Sequence, residues 1–268
     1  MEFVEYSVDD GIAHIALNRP AKMNAVVPQL LLDIEAACDA AGKDRTVRAV
    51  VLSGNGRAFC AGLDMSGFEQ MAGDGERYAT LAPRTRGLAN EGQIIPLLFR
   101  ELRVPVICAI HGVALGAGLQ MTLGADIRYV APDARLAFLE MRWGLVPDMG
   151  AFTLLRDLVR GDVARDLIMS GRMVEGVEAV SLGLATRVEQ DPLAAAFETA
   201  RKLAGYSPDS LASAKLLLNA MADSDAAALL LNESVRQDML ISSPNQKEAV
   251  NATLEKRPGR FAPRSIDW

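Results

Sequence analysis

Residues 111–120, HGVALGAGLQ, leave the apolar run VPVICAI (104–110) through three glycines and close on a glutamine. The run reads as a buried strand, and the apolar stretch beyond it, to about Leu123, reads as a helix. The glycines therefore mark a strand-to-helix turn. The first amides of a helix lack intrahelical acceptors and carry the positive end of its dipole, and glycine lets such a turn approach a ligand closely. A second turn of the same make, AFCAGLDM (58–65), follows another buried strand within VRAVVLSG (47–54). Two such turns aimed at one point would offer paired N–H donors to a developing oxyanion. Tight packing of strand against helix explains each turn equally well on its own. Neither turn fits G-x-G-x-x-G or G-x-x-x-x-G-K, so a nicotinamide or nucleotide-triphosphate site has no fingerprint here.

Outward from these turns the chain alternates strands and helices. Residues 2–17 alternate apolar and polar around Asp9, Asp10 and Gly11, a hairpin pattern. From Pro28, apolar residues at helical spacing (Leu30, Leu31, Ile34, Ala37, Cys38, Ala41) predict a helix stopping at Gly42. ADIRYVA and ARLAFLE predict two shorter strands, the second reaching Phe138–Glu140. From about Asp191 the pattern is helical, with further starts at SPDS (207–210) and near SPNQ (243–246). Strands arriving in pairs before helices predict an α/β fold of stacked ββα units. The expected organisation is a core over residues 1–206 and a helical region over 207–268. Residues 64–101, weakly periodic and rich in Gly, Arg and Glu, read as a flap over a site.

Composition narrows the function. A chain of 268 residues that is half apolar can bury a sizeable core. Its formal charge of −6, with no basic run, argues against nucleic acid. Three cysteines, Cys38, Cys60 and Cys108, and two histidines match no disulfide framework or zinc spacing. The expectation is a soluble, cytoplasmic protein with reduced thiols and no metal. No stretch has the roughly 20 apolar residues of a membrane span.

LNRPAKMNA (17–25), RAFCAGLDM (57–65) and AIHGVALGAGLQMTLGADIRYVAPDARLAFLEMRWGLVPDMG (109–150) together resemble the crotonase superfamily, the enoyl-CoA hydratase/isomerase family. The likeness runs from about residue 3 to 260. It implies a crotonase-like spiral of ββα units with a C-terminal helical trimerisation region, and a homotrimer or dimer of trimers. The implied partner is an acyl-CoA thioester, with CoA part of the substrate and no separate cofactor. The amides of Leu63 and Ala117 would form the oxyanion hole for the thioester carbonyl. Lys22, Met23, Ala25 and Ala61 would border CoA, and Lys256 would reach a phosphate of CoA in a neighbouring subunit.

The acids depart from the hydratase pattern of the family, which has glutamates at the positions of Gln120 and Glu140. Gln120 can orient a water but cannot take its proton, and it reads equally as a residue satisfying a buried backbone group. Glu140, after the apolar run RLAFL, is the candidate base, with a pKa raised by desolvation. Asp148 sits at the spacing of a second acid in the dienoyl-CoA isomerase branch, and it reads equally as a helix N-cap. Isomerisation of an unsaturated acyl-CoA is therefore favoured. The alternatives are hydration with Gln120 orienting water and an acyl-CoA binder impaired in catalysis. Asp64 reads as a favourable charge at a helix start and His111 as a packing residue. Met65, Phe68, Leu88 and Trp143 are candidates for the acyl pocket, against a default of ordinary core.

Overall fold

The computed structural model describes residues 1–73 and 81–266. Strands β1 (Val4–Asp9) and β2 (Ile12–Leu17) form the expected hairpin, and α1 (Pro28–Lys43) follows. That helix runs one residue past Gly42 and is capped at Asp44, whose N–H reaches the Ala40 carbonyl. The chain continues through β3 (Ala49–Gly54), α2 (Met65–Ala72), α3 (Ile94–Glu101), β4 (Val106–Ile110), β5 (Val113–Leu115) and α4 (Ala117–Thr122). Next come β6 (Ile127–Val130), β7 (Arg135–Ala137), α5 (Ala151–Leu155), α6 (Gly161–Ser170), β8 (Val174–Glu175), α7 (Gly176–Leu182) and β9 (Arg187–Val188). Four helices close the chain: α8 (Pro192–Ala204), α9 (Pro208–Ala220), α10 (Ala226–Leu240) and α11 (Pro244–Leu254).

The strands form two sheets. One is six-stranded, in the order β1-β2-β3-β4-β6-β9, and parallel apart from the first hairpin; the other is β5-β7-β8. Successive units place a first strand in the large sheet and the next in the small one, as β4 and β5 do, and then β6 and β7. The unit after β3 follows suit, since Cys60 bridges Ala114 of β5 in parallel. This is the ββα spiral. All six residues of β3 and all five of β4 are buried, because α8 covers one face through Ala196 and Ala200 while the main core fills the other. Two-sided burial explains their continuous apolar runs.

The structure corrects several expectations. Residues 64–101 are not one flap: α2 and α3 occupy their two ends, and residues 74–80 lie outside the described residues. The strand expected to reach Glu140 ends at Ala137, and Glu140 opens a single 3-10 turn, Glu140–Trp143. Asp148 caps no helix, because α5 starts at Ala151 behind Gly150. The helix starts at Asp191, Ser207 and Ser243 hold, each side chain accepting a hydrogen bond from an N–H three residues on.

Beyond residue 207, α9 is tied to the core by Lys215, whose buried Nζ donates to the carbonyls of Phe99 and Val104 and to Asp126, at 2.9, 2.9 and 2.7 Å. Burial lowers the pKa of this lysine, and Asp126 opposes the shift. By contrast, no residue of α10 is buried. Among the described residues no helix is long and apolar enough to cross a membrane, and the three cysteines are buried free thiols.

Candidate active site

Three segments run side by side beneath the site, joined by backbone hydrogen bonds. The Ala61 N–H donates to the Met23 carbonyl (2.9 Å), Val26 to Gly62 (2.7 Å) and Asp64 to Val26 (3.0 Å). On the other side, Cys60 donates to Val113 and Leu115 to Cys60, both at 3.0 Å. With Cys60 opposite Ala114, the residues three further along each segment are Leu63 and Ala117. The approach is close: a Cβ added to Gly62 would lie 2.8 Å from the Leu115 carbonyl oxygen and 3.9 Å from the Ala117 nitrogen. Among the described residues neither Leu63 nor Ala117 donates its N–H to any acceptor.

Gly116, just before Ala117, has φ 49° and ψ −120°, a conformation essentially restricted to glycine. A Cβ there would also come within 3.2 Å of Glu140 Oε1. The second reason for a glycine at 116 is thus the carboxylate itself, packed against the turn that presents the Ala117 amide.

Glu140 is buried, at 9% exposure, and so is Gln120 at 1%. Gln120 Nε2 donates to Glu140 Oε1 at 2.7 Å, and Gln120 Oε1 accepts the Met149 N–H at 2.8 Å. The other carboxylate oxygen, Glu140 Oε2, is buried without a hydrogen-bond partner. Burial raises the Glu140 pKa; the backbone N–H groups of Glu140 and Leu139 and the Gln120 amide partly offset this, and the charge of Asp148 adds to it. Asp148 is an exposed residue whose carboxyl is nonetheless crowded enough for desolvation to raise its pKa. Gln120 connects the two acids, holding one directly and the backbone next to the other.

A signal that the sequence reading passed over is Asn24, in KMNA. It is fully buried at φ 55°, which asparagine tolerates better than most residues. Its Nδ2 lies within 3.0 Å of the carbonyls of Asn55, Ala58 and Phe59, and its Oδ1 accepts the Arg19 N–H. It fastens the segment carrying Leu63. Asp64, the expected helix-start charge, accepts from the Ser66 N–H and pairs with Arg19, whose hydrogen bond holds the Asp64 pKa down at about 2.

The remaining candidates are dispersed. Met23, Ala25 and Ala61 lie in the paired segments, and Lys22 is exposed beside them. Lys256 follows α11, and no described contact brings it to this site within one chain. His111 Nε2 lies 2.9 Å from the Gly56 carbonyl, a loop contact. Phe68 and Trp143 stack on one another, whereas Met65 and Leu88 are exposed.

With this geometry in view, comparison with known proteins defines the class. The enoyl-CoA hydratase/isomerase family model matches residues 7–264. The chain is 32% identical to a probable enoyl-CoA hydratase of Bacillus subtilis, covering 97% of this chain and 99% of that one. It is 27% identical to a peroxisomal Delta(3,5)-Delta(2,4)-dienoyl-CoA isomerase of Arabidopsis thaliana, covering 98% and 96%. The crystal structure of a putative enoyl-CoA hydratase from Streptomyces coelicolor superposes with a TM-score of 0.87 at 34% identity, covering 98% and 94%. This chain belongs to the enoyl-CoA hydratase/isomerase family, acyl-CoA enzymes of the crotonase superfamily.

Proposed function

We propose that this chain isomerises the double bond of an unsaturated acyl-CoA. The observation that carries the reading is the Met149–Gln120–Glu140 chain of hydrogen bonds, which occupies one oxygen of a buried carboxylate and leaves the other unpartnered. The thioester oxygen accepts from the N–H groups of Leu63 and Ala117. Glu140 Oε2 removes a proton from the carbon beside the thioester of a 3-enoyl-CoA, and the electron pair moves onto the thioester oxygen as a dienolate. The same carboxyl then returns the proton at the far end of the conjugated system, leaving the 2-enoyl-CoA. One carboxylate completes the cycle and no water is consumed. A raised pKa suits a base that must also give its proton back. Asp148 serves as a second acid where the two ends of the conjugated system lie further apart.

Hydration is the reading that several relatives' names favour. A glutamine at 120 can orient a water but cannot take its proton, which leaves Glu140 without a second carboxylate beside it at that position. CoA is placed along Lys22, Met23, Ala25 and Ala61, with Lys256 supplied by a neighbouring subunit of a homotrimer or dimer of trimers.

Incubation with 3-enoyl-, 2-enoyl- and 3,5-dienoyl-CoA, followed through the conjugated thioester chromophore, tests the assignment. The expected result is turnover of a non-conjugated or dienoyl substrate, reduced about a hundredfold or more in Glu140→Gln, with CoA binding retained. Faster hydration of 2-enoyl-CoA than isomerisation of any substrate would reject it.

A further inference from the structure

The Phe68 and Trp143 rings lie nearly parallel, 18° apart, with centroids separated by 3.9 Å. They come from the two arms of the site. Phe68 stands five residues after Leu63, one turn into α2, which starts directly behind the Asp64 cap. Trp143 closes the 3-10 turn that Glu140 opens, and Gly144 caps that turn by donating to the Glu140 and Met141 carbonyls. The ring pair therefore bridges the segment presenting the Leu63 amide and the segment presenting the carboxylate.

Direction along the first arm says which part of the substrate meets the rings. Residues 60–64 are hydrogen-bonded alongside 23–26, so Ala61 and its Met23 partner precede Leu63 along this segment and α2 follows it. A thioester with its oxygen at Leu63 and CoA toward Met23 points its acyl carbons toward α2. Around the rings the surface is apolar and exposed, through Met65, Met141, Leu145 and Val146. Trp143 itself is 47% exposed, so the pair is not core packing.

We propose that the Phe68–Trp143 stack is the acyl-side specificity determinant: it closes the end of the acyl path and restricts the enzyme to short acyl chains. This rests on the placement of the thioester at Leu63 and Glu140 given above. A tail longer than the distance to the rings must part them, losing their stacking contact.

The test compares the affinity of wild type, Phe68→Ala, Trp143→Ala, Phe68→Leu and Trp143→Phe for butanoyl-CoA and dodecanoyl-CoA, two saturated thioesters that bind without reacting. Calorimetry supplies the dissociation constants and thermal unfolding confirms that each variant is folded. Wild type is expected to favour butanoyl-CoA. The three variants that end the stack are expected to shift the ratio toward dodecanoyl-CoA by about tenfold, and Trp143→Phe, which keeps two rings, to stay near wild type. An unchanged ratio in the variants lacking the stack, or an equal shift in Trp143→Phe, overturns the proposal. Because nothing turns over, a shift in ratio alongside absent isomerase activity would reject the proposed reaction and leave the specificity assignment standing.

Discussion

The two strand-to-helix turns of the site are built alike in sequence but held by different means. The turn at 58–65 is fastened by side chains that take no part in chemistry: Asn24 gathers three loop carbonyls and Asp64 pairs with Arg19. The turn at 111–120 is fastened by the proposed reacting groups, since Gly116 packs on Glu140 and Gln120 holds the same carboxylate. One turn is scaffold. In the other, the proposed amide donor and the proposed base are packed together, so disturbing either moves both.

Substitutions should separate the two turns. The largest effect is expected for Gly116→Ala, where a Cβ meets Glu140 Oε1 at a positive φ. Turnover should fall about a hundredfold or more, while calorimetry shows acyl-CoA binding largely kept. An active Gly116→Ala enzyme would break the coupling of donor and base. At the other turn, Asn24→Ala leaves buried carbonyls without a donor and places alanine at positive φ. Urea unfolding should show a loss of about 2–4 kcal/mol, with the pH dependence of any remaining activity unchanged.

The pH profile sharpens the contrast. Glu140 must be ionised to act as base, so activity should rise with pH through a value above the ordinary carboxylate range. In Gln120→Glu a second carboxyl replaces the amide donor, and like-charge repulsion should move that acid limb higher still. An unmoved limb would show that residue 120 does not control the base. The Asp64 cap gives the smallest effect. Its folded pKa, about 2, lies below the unfolded value near 4, so its contribution is present above pH of about 4 and lost as pH falls toward about 2. Asp64→Ala should cost about 1 kcal/mol at neutral pH and match wild type in strong acid.

Legibility followed the range of the interactions. Strands β3 and β4 were readable because they are buried on both faces and stay apolar throughout. The starts of α8, α9 and α11 were readable because a capping side chain and the N–H it bonds lie three residues apart. Helices α5 to α7 went unread, being short and only partly apolar. RLAFL continues an apolar run and predicts a strand reaching Glu140, whereas β7 ends at Ala137 and Glu140 opens a 3-10 turn. Glu140, Asp148, Leu63 and Ala117 are candidates through motif resemblance, not through local pattern. Asn24 is not legible because the three carbonyls its Nδ2 gathers lie more than thirty residues away.

The sequence by itself determined the ββα framework and the two glycine turns, since each is written in local residue types and spacing, while the missing acid at position 120 is legible only against the family that the motifs resemble. Only the tertiary structure decided what Gln120 does. Its two partners, Glu140 and the Met149 amide, lie 20 and 29 residues off, and a hydrogen bond between segments depends on how sheets and turns bring them together. The raised pKa of Glu140 is expected from the apolar run before it, while the groups packed around the carboxyl, Gly116 and Gln120, are fixed only by the fold.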